Sequence, residues 1–475
     1  MNILLISPNL ITKNIIRPRF PPYLSLSVAA HLEDAGFNVK VYDALLEKAN
    51  INNISNVIDK FNPFLIGISP ADIMRVIPFE DVVGLIRFLK CKFKNIPLLV
   101  FGIRDKNVIK NLKVQVPEID YVLMGDPEEV IVELSQGIKF KKDIKNIQGL
   151  VLKNHSEDSF SNVLPRTIDN LDKLFFPAWH LIDLNRYPAM PLKYKTTSRV
   201  YPITTTRGCP WDRCIFCKDQ SILKSSHYRV KSVEKVVSEI EFAIDKYNNP
   251  EILFFDSNFN TDIEWLNKFR QQLKERNIYF TWSCLSRVDK LSREAVKIMH
   301  DIGCWNIIFG LESSSSLLLD TIDKGCTLLQ MKEALHLCQE AGIEITGNFL
   351  IGLPGEQPSD VINSAKFAVN AGLDYVAFFI AKWYDDHENL IYKDKGTFTD
   401  KWDYSYYDFS GPVFVPRAYN SIYHLKNIQR RAYLIFYTHP RIILKHLKKI
   451  RSFADFKRLF LSFMIILKIY CRFVN

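Results

Sequence analysis

Residues 207–217 read Arg-Gly-Cys-Pro-Trp-Asp-Arg-Cys-Ile-Phe-Cys, and this segment decides how the rest of the 475-residue chain is interpreted. It places Cys209, Cys214 and Cys217 within nine positions on a backbone that contains Gly and Pro, so one loop can bring three thiolates to one metal centre. Three thiolates are one fewer than the four that complete a structural zinc site or an ordinary iron–sulfur cluster. A cubane cluster held here would keep one iron open to an outside ligand, which predicts a reaction centre.

The segment resembles the cluster loop of the radical SAM superfamily. The resemblance implies that Cys209, Cys214 and Cys217 are the metal ligands of a 4Fe-4S cluster, and that S-adenosylmethionine chelates the fourth iron. The last interval has the usual spacing, whereas the four residues between Cys209 and Cys214 are one more than in the commonest spacing. The longer interval, preceded by Arg-Gly, is similar to that of radical SAM proteins with an N-terminal cobalamin (B12)-binding domain. Phe216 matches the aromatic residue that lies near the adenine.

A zinc site is the alternative, because thiolates and an imidazole form a common zinc shell and His227 follows the loop. The chain would then be a zinc-stabilised binding protein with a basic tail that contacts nucleic acid. The aromatic residues of that tail have core-like spacing, which argues against nucleic acid as a partner. The remaining cysteines stand singly and are interpreted as small packing residues; they are Cys91, Cys284, Cys304, Cys326, Cys338 and Cys471.

The length of the chain favours two or three domains. The N-terminus shows no basic region before its short apolar run, and few, irregularly spaced cysteines argue against a disulfide framework, so a cytoplasmic protein is expected. The net charge of +10 is uneven, because residues 424–475 carry twelve Lys or Arg against one acidic residue. The body of the chain is therefore close to neutral and its tail is basic.

Residues 1–140 alternate apolar runs with helical periodicity. Strands are predicted at 2–7, 39–42, 64–69, 98–102 and 121–124, and helices at 23–35, 79–92 and 127–135. This order predicts an α/β domain with a Rossmann-like, doubly wound parallel sheet, whose ligands bind beyond the carboxyl ends of the strands.

The same segment resembles the cobalamin-binding domain of one radical SAM subfamily. The matching stretches are residues 21–26 (Pro-Pro-Tyr-Leu-Ser-Leu), 32–37 (Leu-Glu-Asp-Ala-Gly-Phe), 42–43 (Tyr-Asp) and 66–69 (Ile-Gly-Ile-Ser). Phe101-Gly102 stands where such domains have a Gly-Gly pair, Pro127 interrupts a Gly-Glu-Gly-Glu signature, and an Asp-x-His-x-x-Gly motif for an axial histidine is missing. Cobalamin binding and a degenerate domain kept for packing or substrate shape therefore both stay open.

Residues 141–198 are expected to form a linker, and residues 199–385 a partial (βα)6 TIM-type barrel that is open on one side. Its strands are predicted at 200–205, 251–256, 279–284, 305–310, 344–351 and 374–380, and its helices at 232–247, 262–276, 292–302, 328–341 and 358–371. Active sites of βα barrels lie at the carboxyl ends of the strands, and the cysteine loop directly follows the first strand.

Other strand ends carry polar groups where a cofactor would need them. The resemblance makes Glu312 and Ser313 candidates for the polar parts of S-adenosylmethionine and Arg287 a candidate for its carboxylate; Asp256 is a further candidate at the end of the second strand. Gly352 begins a Gly-Leu-Pro-Gly-Glu run that resembles the family's, where small residues let the backbone approach the nucleoside. Solvated loop residues or rim salt bridges remain the alternative for the charged positions.

The resemblance implies an enzyme that cleaves S-adenosylmethionine reductively and forms a 5'-deoxyadenosyl radical. With cobalamin, it implies methyl transfer or a radical rearrangement such as ring closure on an unactivated carbon. The expected partners are a small-molecule or lipid-like substrate and an external electron donor such as flavodoxin or ferredoxin. The sequence names no catalytic residue that contacts the substrate.

Residues 386–475 are predicted to form a cap and a basic, amphipathic helical tail. The apolar run at 459–467 is too short to span a bilayer. Three hypotheses follow: the tail docks on the barrel, contacts nucleic acid, or lies peripherally on the inner face of the membrane.

Overall fold

The structure is a computed structural model of the chain. It describes residues 1–8, 20–44, 46–47, 49, 51–72, 75–76, 79–103, 106–154, 163–187, 199–217, 228–381, 383, 394–398, 414–450, 452–453, 455–457, 459–461 and 464. These residues form two compact units. The first holds the described residues of 1–187 together with Cys217, and the second holds the others.

The first unit is an α/β sheet with helices in its crossovers. Its strands are β1 (Asn2–Ser7), β2 (Asn38–Asp43), β3 (Leu65–Ile68), β4 (Ala71–Asp72), β5 (Arg75–Val76), β6 (Leu98–Val100), β7 (Tyr121–Leu123) and β8 (Leu150–Leu152), and its helices are α1 (Tyr23–Asp34), α2 (Ile51–Phe61), α3 (Phe79–Lys92), α4 (Lys106–Gln115) and α5 (Pro127–Phe140). The sheet order is β2-β1-β3-β6-β7-β8, and β4 and β5 form a separate antiparallel pair. All sheet neighbours are parallel except β7 and β8. Continuous apolar runs suit strands that are covered on both faces.

The second unit contains residues 207–216 of the cysteine loop. Its strands are β9 (Val200–Ile203), β10 (Thr206–Arg207), β11 (Arg229–Val230), β12 (Glu251–Phe254), β13 (Trp282–Ser286), β14 (Cys304–Glu312), β15 (Glu344–Ile351), β16 (Tyr375–Ile380), β17 (Gly396–Phe398) and β18 (Phe414–Pro416). Its helices are α6 (Val233–Tyr247), α7 (Ile263–Glu275), α8 (Arg293–Asp301), α9 (Ser316–Thr321), α10 (Leu328–Glu340), α11 (Pro358–Asn370), α12 (Ile422–Tyr437) and α13 (Pro440–Leu447).

Six of these strands form one parallel sheet in chain order, β9-β12-β13-β14-β15-β16. Because every strand runs in the same direction, the segments that follow their carboxyl ends meet at one edge of the sheet. The cysteine loop follows β9 and β10, and Arg287 and Ser313 follow β13 and β14. The fold thus gathers the predicted site residues at that edge.

The predicted fold class is confirmed: a Rossmann-like sheet precedes a partial (βα)6 barrel and a helical tail. The largest difference is in the strand predicted from Tyr279, which begins at Trp282; Tyr279 is 76% exposed and precedes the buried run. The bounds of the other predicted strands agree to within two residues. The elements α2, α4, α9, β8 and the short pairs β4–β5, β10–β11 and β17–β18 were not predicted. The domain boundaries at 140, 198 and 385 stay a prediction.

The C-terminal helices cover the free edge of the barrel sheet. From α12, Gln429 Nε2 donates to the carbonyl oxygen of Phe378 at 2.7 Å, and the Tyr437 hydroxyl donates to that of Val376 at 2.9 Å. From α13, Lys445 Nζ lies 2.8 Å from the Asp374 carboxylate. Side chains of α12 thus bind backbone carbonyl groups that the edge strand β16 would otherwise leave without a partner strand. Together with the ion pair from α13, these contacts dock both helices on the barrel. No helix among the described residues is both long and apolar enough to cross a bilayer.

Candidate active site

The backbone conformation of the cysteine loop is fixed where the loop follows the barrel strand. The short β10–β11 pair fixes its entry, Gly208 has a φ of 87° and Asp212 a φ of 43°. The side chain of Cys214 is buried, whereas those of Cys209 and Cys217 are half-buried. Burial raises the pKa of the Cys214 thiol, and the nearby cations Lys324 and Arg287 oppose that shift. These cations favour the thiolate, the form that binds iron.

A segment more than a hundred positions further along the chain holds the loop. We call residues 322–325 (Ile-Asp-Lys-Gly) the latch. The Ile215 amide donates to the Ile322 carbonyl oxygen at 3.1 Å, and the Trp211 indole N–H donates to the Asp323 carbonyl oxygen at 2.7 Å. Arg213 forms an ion pair with the Asp323 carboxylate at 3.1 Å. Three separate contacts thus fix the loop that carries the cysteines.

Gly325 closes the latch against the indole of Trp211. Its φ is +67°, a conformation that favours glycine. A Cβ at this position would lie 1.9 Å from the Cζ2 atom of Trp211, which is far inside van der Waals contact. The packing of the loop therefore requires glycine here for two independent reasons.

Lys324 of the latch forms a buried ion pair with Glu312 at the end of β14. Its Nζ lies 2.9 Å from Glu312 Oε1, and both side chains are 8% exposed. Burial lowers the pKa of Lys324, but the carboxylate of Glu312 and the thiol of Cys214 outweigh burial and raise it. Glu312 itself has a φ of +62°, and Gly310 leaves room for the pair, because a Cβ there would lie 2.5 Å from Glu312 Oε1.

Arg287 connects the latch with the cysteine loop. Its guanidinium donates to the Lys324 carbonyl oxygen at 2.7 Å and to the Asp289 carboxylate at 2.8 Å, and its Nη1 lies 3.9 Å from Cys214 Sγ. The guanidinium also stacks on the indole of Trp211, 5.3 Å from the ring centroid. Two buried cations thus stand beside Cys214, where a cluster with thiolate ligands would carry negative charge.

The carboxylate of Asp256 binds the segment that leads into the cysteine loop. Its carboxylate accepts hydrogen bonds from the Thr205 amide at 2.7 Å, the Thr205 hydroxyl at 2.6 Å and the Thr206 amide at 2.8 Å. Burial raises the pKa of Asp256 to about 6, and the three donors oppose that rise. The side-chain oxygen of Asn258 accepts a further hydrogen bond from the Arg287 amide at 2.9 Å.

The other predicted positions lie at the ends of β14 and β15. The Ser313 hydroxyl accepts from the Ser315 amide at 3.1 Å, and the Gly352 amide donates to the Glu356 carboxylate at 2.9 Å. Phe216 packs against an apolar cluster that includes Leu353, the residue after Gly352, and Lys324 Nζ lies 5.9 Å from its ring centroid. Four of the predicted residues thus lie around Lys324: Cys214, Phe216, Arg287 and Glu312. Asp256 instead accepts its hydrogen bonds from Thr205 and Thr206, which follow β9.

Glu356 is a buried acid whose ionisation we expect to destabilise the fold. It accepts hydrogen bonds from the Gly352 amide and the Tyr419 hydroxyl, and burial raises its pKa to about 8 from an ordinary value of 4.5. A folded-state pKa above the unfolded value gives stability that is complete below pH 4.5 and is lost as the pH rises through 8. We expect the free energy of unfolding to decrease between pH 4.5 and pH 8. In Glu356→Gln this decrease should be smaller, because the variant has no carboxyl group to ionise at this position. Urea unfolding at several pH values measures this dependence, and Glu264→Gln, at an exposed position, is the control. The prediction is refuted if the free energy of unfolding changes equally with pH in the wild type and in both variants.

Sequence reasoning missed the latch. Lys324, Asp323 and Gly325 follow the unpredicted helix α9, and nothing in their local pattern marks contact with residues 211–215. A lysine next to a glycine at a helix end is an ordinary combination in surface loops. The contact between the latch and the cysteine loop can be inferred only from the fold, which brings the end of β14 and the loop after β10 to the same edge of the sheet.

Comparison with known proteins agrees with this geometry. Residues 203–368, from the end of β9 into α11, match the Radical SAM superfamily. The barrel is a radical SAM domain. The protein is therefore a radical SAM enzyme that uses S-adenosylmethionine and a 4Fe-4S cluster. The zinc alternative finds no support in this match, and its fourth ligand, His227, lies outside the described residues.

Two curated relatives extend the similarity over most of the chain. An uncharacterized methyltransferase of Pyrococcus horikoshii is 27% identical over 94% of this chain and 94% of its own length. The anaerobic magnesium-protoporphyrin IX monomethyl ester cyclase of Rubrivivax gelatinosus is 22% identical over 88% of this chain and 74% of its own length.

A solved structure shares the fold of both units. It is the radical S-adenosylmethionine methyltransferase TsrM from Kitasatospora setae with cobalamin and a [4Fe-4S] cluster bound. It superposes with a TM-score of 0.61 at 18% identity and covers 80% of this chain and 72% of its own. At this identity the likeness establishes the fold.

Proposed function

We propose that this radical SAM enzyme is cobalamin-associated and transfers a methyl group to, or closes a ring on, an unactivated carbon of a small-molecule or lipid-like substrate. The observation that carries the proposal is the charge arrangement at the carboxyl edge of the barrel. There the thiol of Cys214, two buried cations and the Glu312 carboxylate lie in one connected network. One of the two relatives is named a methyltransferase and the other a cyclase, which supports both outcomes.

The residues present fit a cluster and S-adenosylmethionine. Cys209, Cys214 and Cys217 are the proposed iron ligands, and Arg287 and Lys324 balance the charge of the thiolates. Glu312 is the proposed partner of the ammonium of S-adenosylmethionine, because its carboxylate already holds an ammonium, that of Lys324, at 2.9 Å. The cluster, when bound, supplies the electron for cleavage of the sulfonium, and the chain positions the reactants and excludes water.

Four further positions complete the assignment. Phe216, Ser313 and Gly352 are proposed to surround S-adenosylmethionine, as the resemblance implies. We assign Asp256 a positioning role, because the donors of Thr205 and Thr206 already occupy its carboxylate. It would fix the strand end from which the cysteine loop departs.

The first unit fits cobalamin better than its sequence suggested. Phe101 is fully buried, and its ring lies 3.1 Å from the position of a Cβ on Gly67, so it packs inside the domain. Gly102 follows β6 at the carboxyl edge of the sheet and has a φ of 83°. Because it has no side chain, a ligand could approach the backbone at this point. Pro127 is the first residue of α5, a position that tolerates proline. Cobalamin, when bound, supplies methyl-carrier chemistry, and the backbone at this edge would accommodate it.

Radical SAM enzymes act on small molecules with an electron from a donor. We propose flavodoxin or ferredoxin as that donor, because both deliver single electrons at low potential. We also propose a cytoplasmic location with peripheral contact to the inner face of the membrane.

The test is turnover of S-adenosylmethionine by the reconstituted protein under reducing conditions. We expect release of 5'-deoxyadenosine, or of S-adenosylhomocysteine if a methyl group is transferred. Glu312→Gln should reduce this turnover at least about tenfold, since it removes a buried charge-assisted contact that is typically stronger than about 1.5 kcal/mol. Asp256→Asn should reduce it less.

Cluster content separates binding of S-adenosylmethionine from cluster assembly in these variants. We expect Glu312→Gln to keep its iron and sulfide and to raise the dissociation constant for S-adenosylmethionine in equilibrium dialysis. Undiminished turnover and affinity in this variant would remove Glu312 from the site. A wild-type protein that holds no iron after reconstitution would overturn the proposed function itself.

A further inference from the structure

The docked C-terminal helix α13 turns its polar side toward the barrel. Lys445 and Lys449 both form ion pairs with the Asp374 carboxylate, Lys449 also pairs with Glu344 at 3.0 Å, and His446 bonds to the Asp374 carbonyl oxygen at 3.0 Å. A helix on a protein surface ordinarily packs its apolar side inward and exposes its charges. On the docked side of α13, Ile442 is buried and the other contacts are polar or charged, which leaves Ile443, Leu444 and Leu447 for the opposite side.

The opposite side of α13 and the stretch after it expose large apolar residues. Ile443, Leu444 and Leu447 share one face of α13 and are 44%, 56% and 54% exposed. Residues 453–464 are helical wherever they are described, and their apolar residues recur at helical spacing. The outward apolar face consists of Ile443, Leu444, Leu447, Phe453, Phe456, Phe460 and Met464.

The aromatic rings of this face pack on one another. The Phe456 centroid lies 6.4 Å from that of Phe453 and 6.4 Å from that of Phe460, yet Phe453 is 82% exposed. Exposed apolar clusters of this kind mark interaction sites. Apart from Lys445 and Lys449, whose charges pair with barrel carboxylates, residues 424–475 carry ten Lys or Arg against one acidic residue. A partner that suits this segment combines an apolar phase with negative charge.

Resting on the peripheral membrane contact proposed above, we infer that the outward apolar face inserts into the surface of an anionic lipid bilayer. Such a surface offers both hydrocarbon for the rings and negative headgroups for exposed cations such as Lys448 and Lys457. A second copy of this chain would bring two basic tails together, which charge repulsion opposes. Nucleic acid would supply negative charge but no hydrocarbon interior.

The experiment is co-sedimentation of the full-length protein with vesicles of phosphatidylcholine alone and with increasing phosphatidylglycerol. We expect binding that rises with phosphatidylglycerol and weakens with salt. The triple variant Phe453→Ser, Phe456→Ser, Phe460→Ser should lose it. Lys448→Gln and Lys457→Gln should each lower the partition coefficient about fivefold, the effect of one basic side chain near an anionic surface.

A matched control removes exposed apolar residues elsewhere. Val114→Ser, Tyr279→Ser and Leu329→Ser together change three side chains that are similarly exposed, and vesicle binding should be unaffected. Binding that ignores lipid charge, or that survives the triple phenylalanine variant, would overturn the inference. Concentration-dependent dimerisation through the same phenylalanines, or their requirement for binding a single-stranded oligonucleotide instead of vesicles, would also overturn it. Cluster content, measured in parallel, tests the proposed function separately.

Discussion

Cys214→Ala, reconstituted without oxygen, is expected to lose the visible absorbance of the 4Fe-4S cluster and its iron and sulfide. Cys214 is buried, and the guanidinium of Arg287 stands 3.9 Å from its sulfur. Its removal leaves a second iron without a protein ligand, because the loop supplies three thiolates in all. Cys209→Ala and Cys217→Ala should have the same effect. Absorbance spectra and iron and sulfide analysis of anaerobically purified protein measure it.

The matched control is Cys326→Ala, which removes a buried thiol directly after the latch. It should keep full iron content, because Cys326 lies outside the cysteine loop. A triple variant of the loop cysteines that still held stoichiometric iron would refute the assignment. Equal loss in Cys326→Ala would show that the site fails through general destabilisation.

The fold was predictable where buried strands were long and helices well separated. The strands β1 and β15 match their predicted bounds. Residues 3–6 of β1 are a continuous apolar run, and β15 ends in three apolar residues directly before Gly352. The three-residue strand β8 was missed, since so short a run has no readable period and its antiparallel pairing depends on β7. Helix α2 carries apolar residues at helical spacing, but Asn at three of eleven positions weakened its signal.

The site was predictable to the extent that its residues are neighbours in the chain. The spacing of the three cysteines is a local signal, and so is the polar end of β14. The latch is not local, because the Trp211–Asp323 hydrogen bond joins residues 112 positions apart. The sequence also suggested Asp256 as a cofactor contact, whereas its three hydrogen bonds are internal to the barrel. The roles of Asp256 and Glu312 toward a cofactor stay predictions, because the sequence does not show which tertiary contacts either carboxylate makes.

Gly325→Ala is expected to loosen the cysteine loop and to lower cluster retention strongly. The added Cβ would lie 1.9 Å from the Trp211 ring, so the indole or the latch must move. Overpacking of this kind, together with alanine at a φ of +67°, should cost about 2–4 kcal/mol of stability. Movement of Trp211 would also break its bond to the Asp323 carbonyl oxygen and displace Cys209 and Cys214, which flank it in the chain. Urea unfolding and iron content after gel filtration measure the two effects.

Gly342→Ala separates backbone strain from the clash. Gly342 has a φ of +77°, but a Cβ there would meet nothing within 4 Å, so this variant should lose only about 1–2 kcal/mol and keep its cluster. Adding Trp211→Phe to Gly325→Ala removes the ring atoms that the new Cβ meets, and we expect it to restore part of the iron content. If Gly325→Ala held as much iron as Gly342→Ala, the loop would not depend on the latch. Recovery in the double variant would instead show that the Trp211–Gly325 contact sets the position of the cysteines.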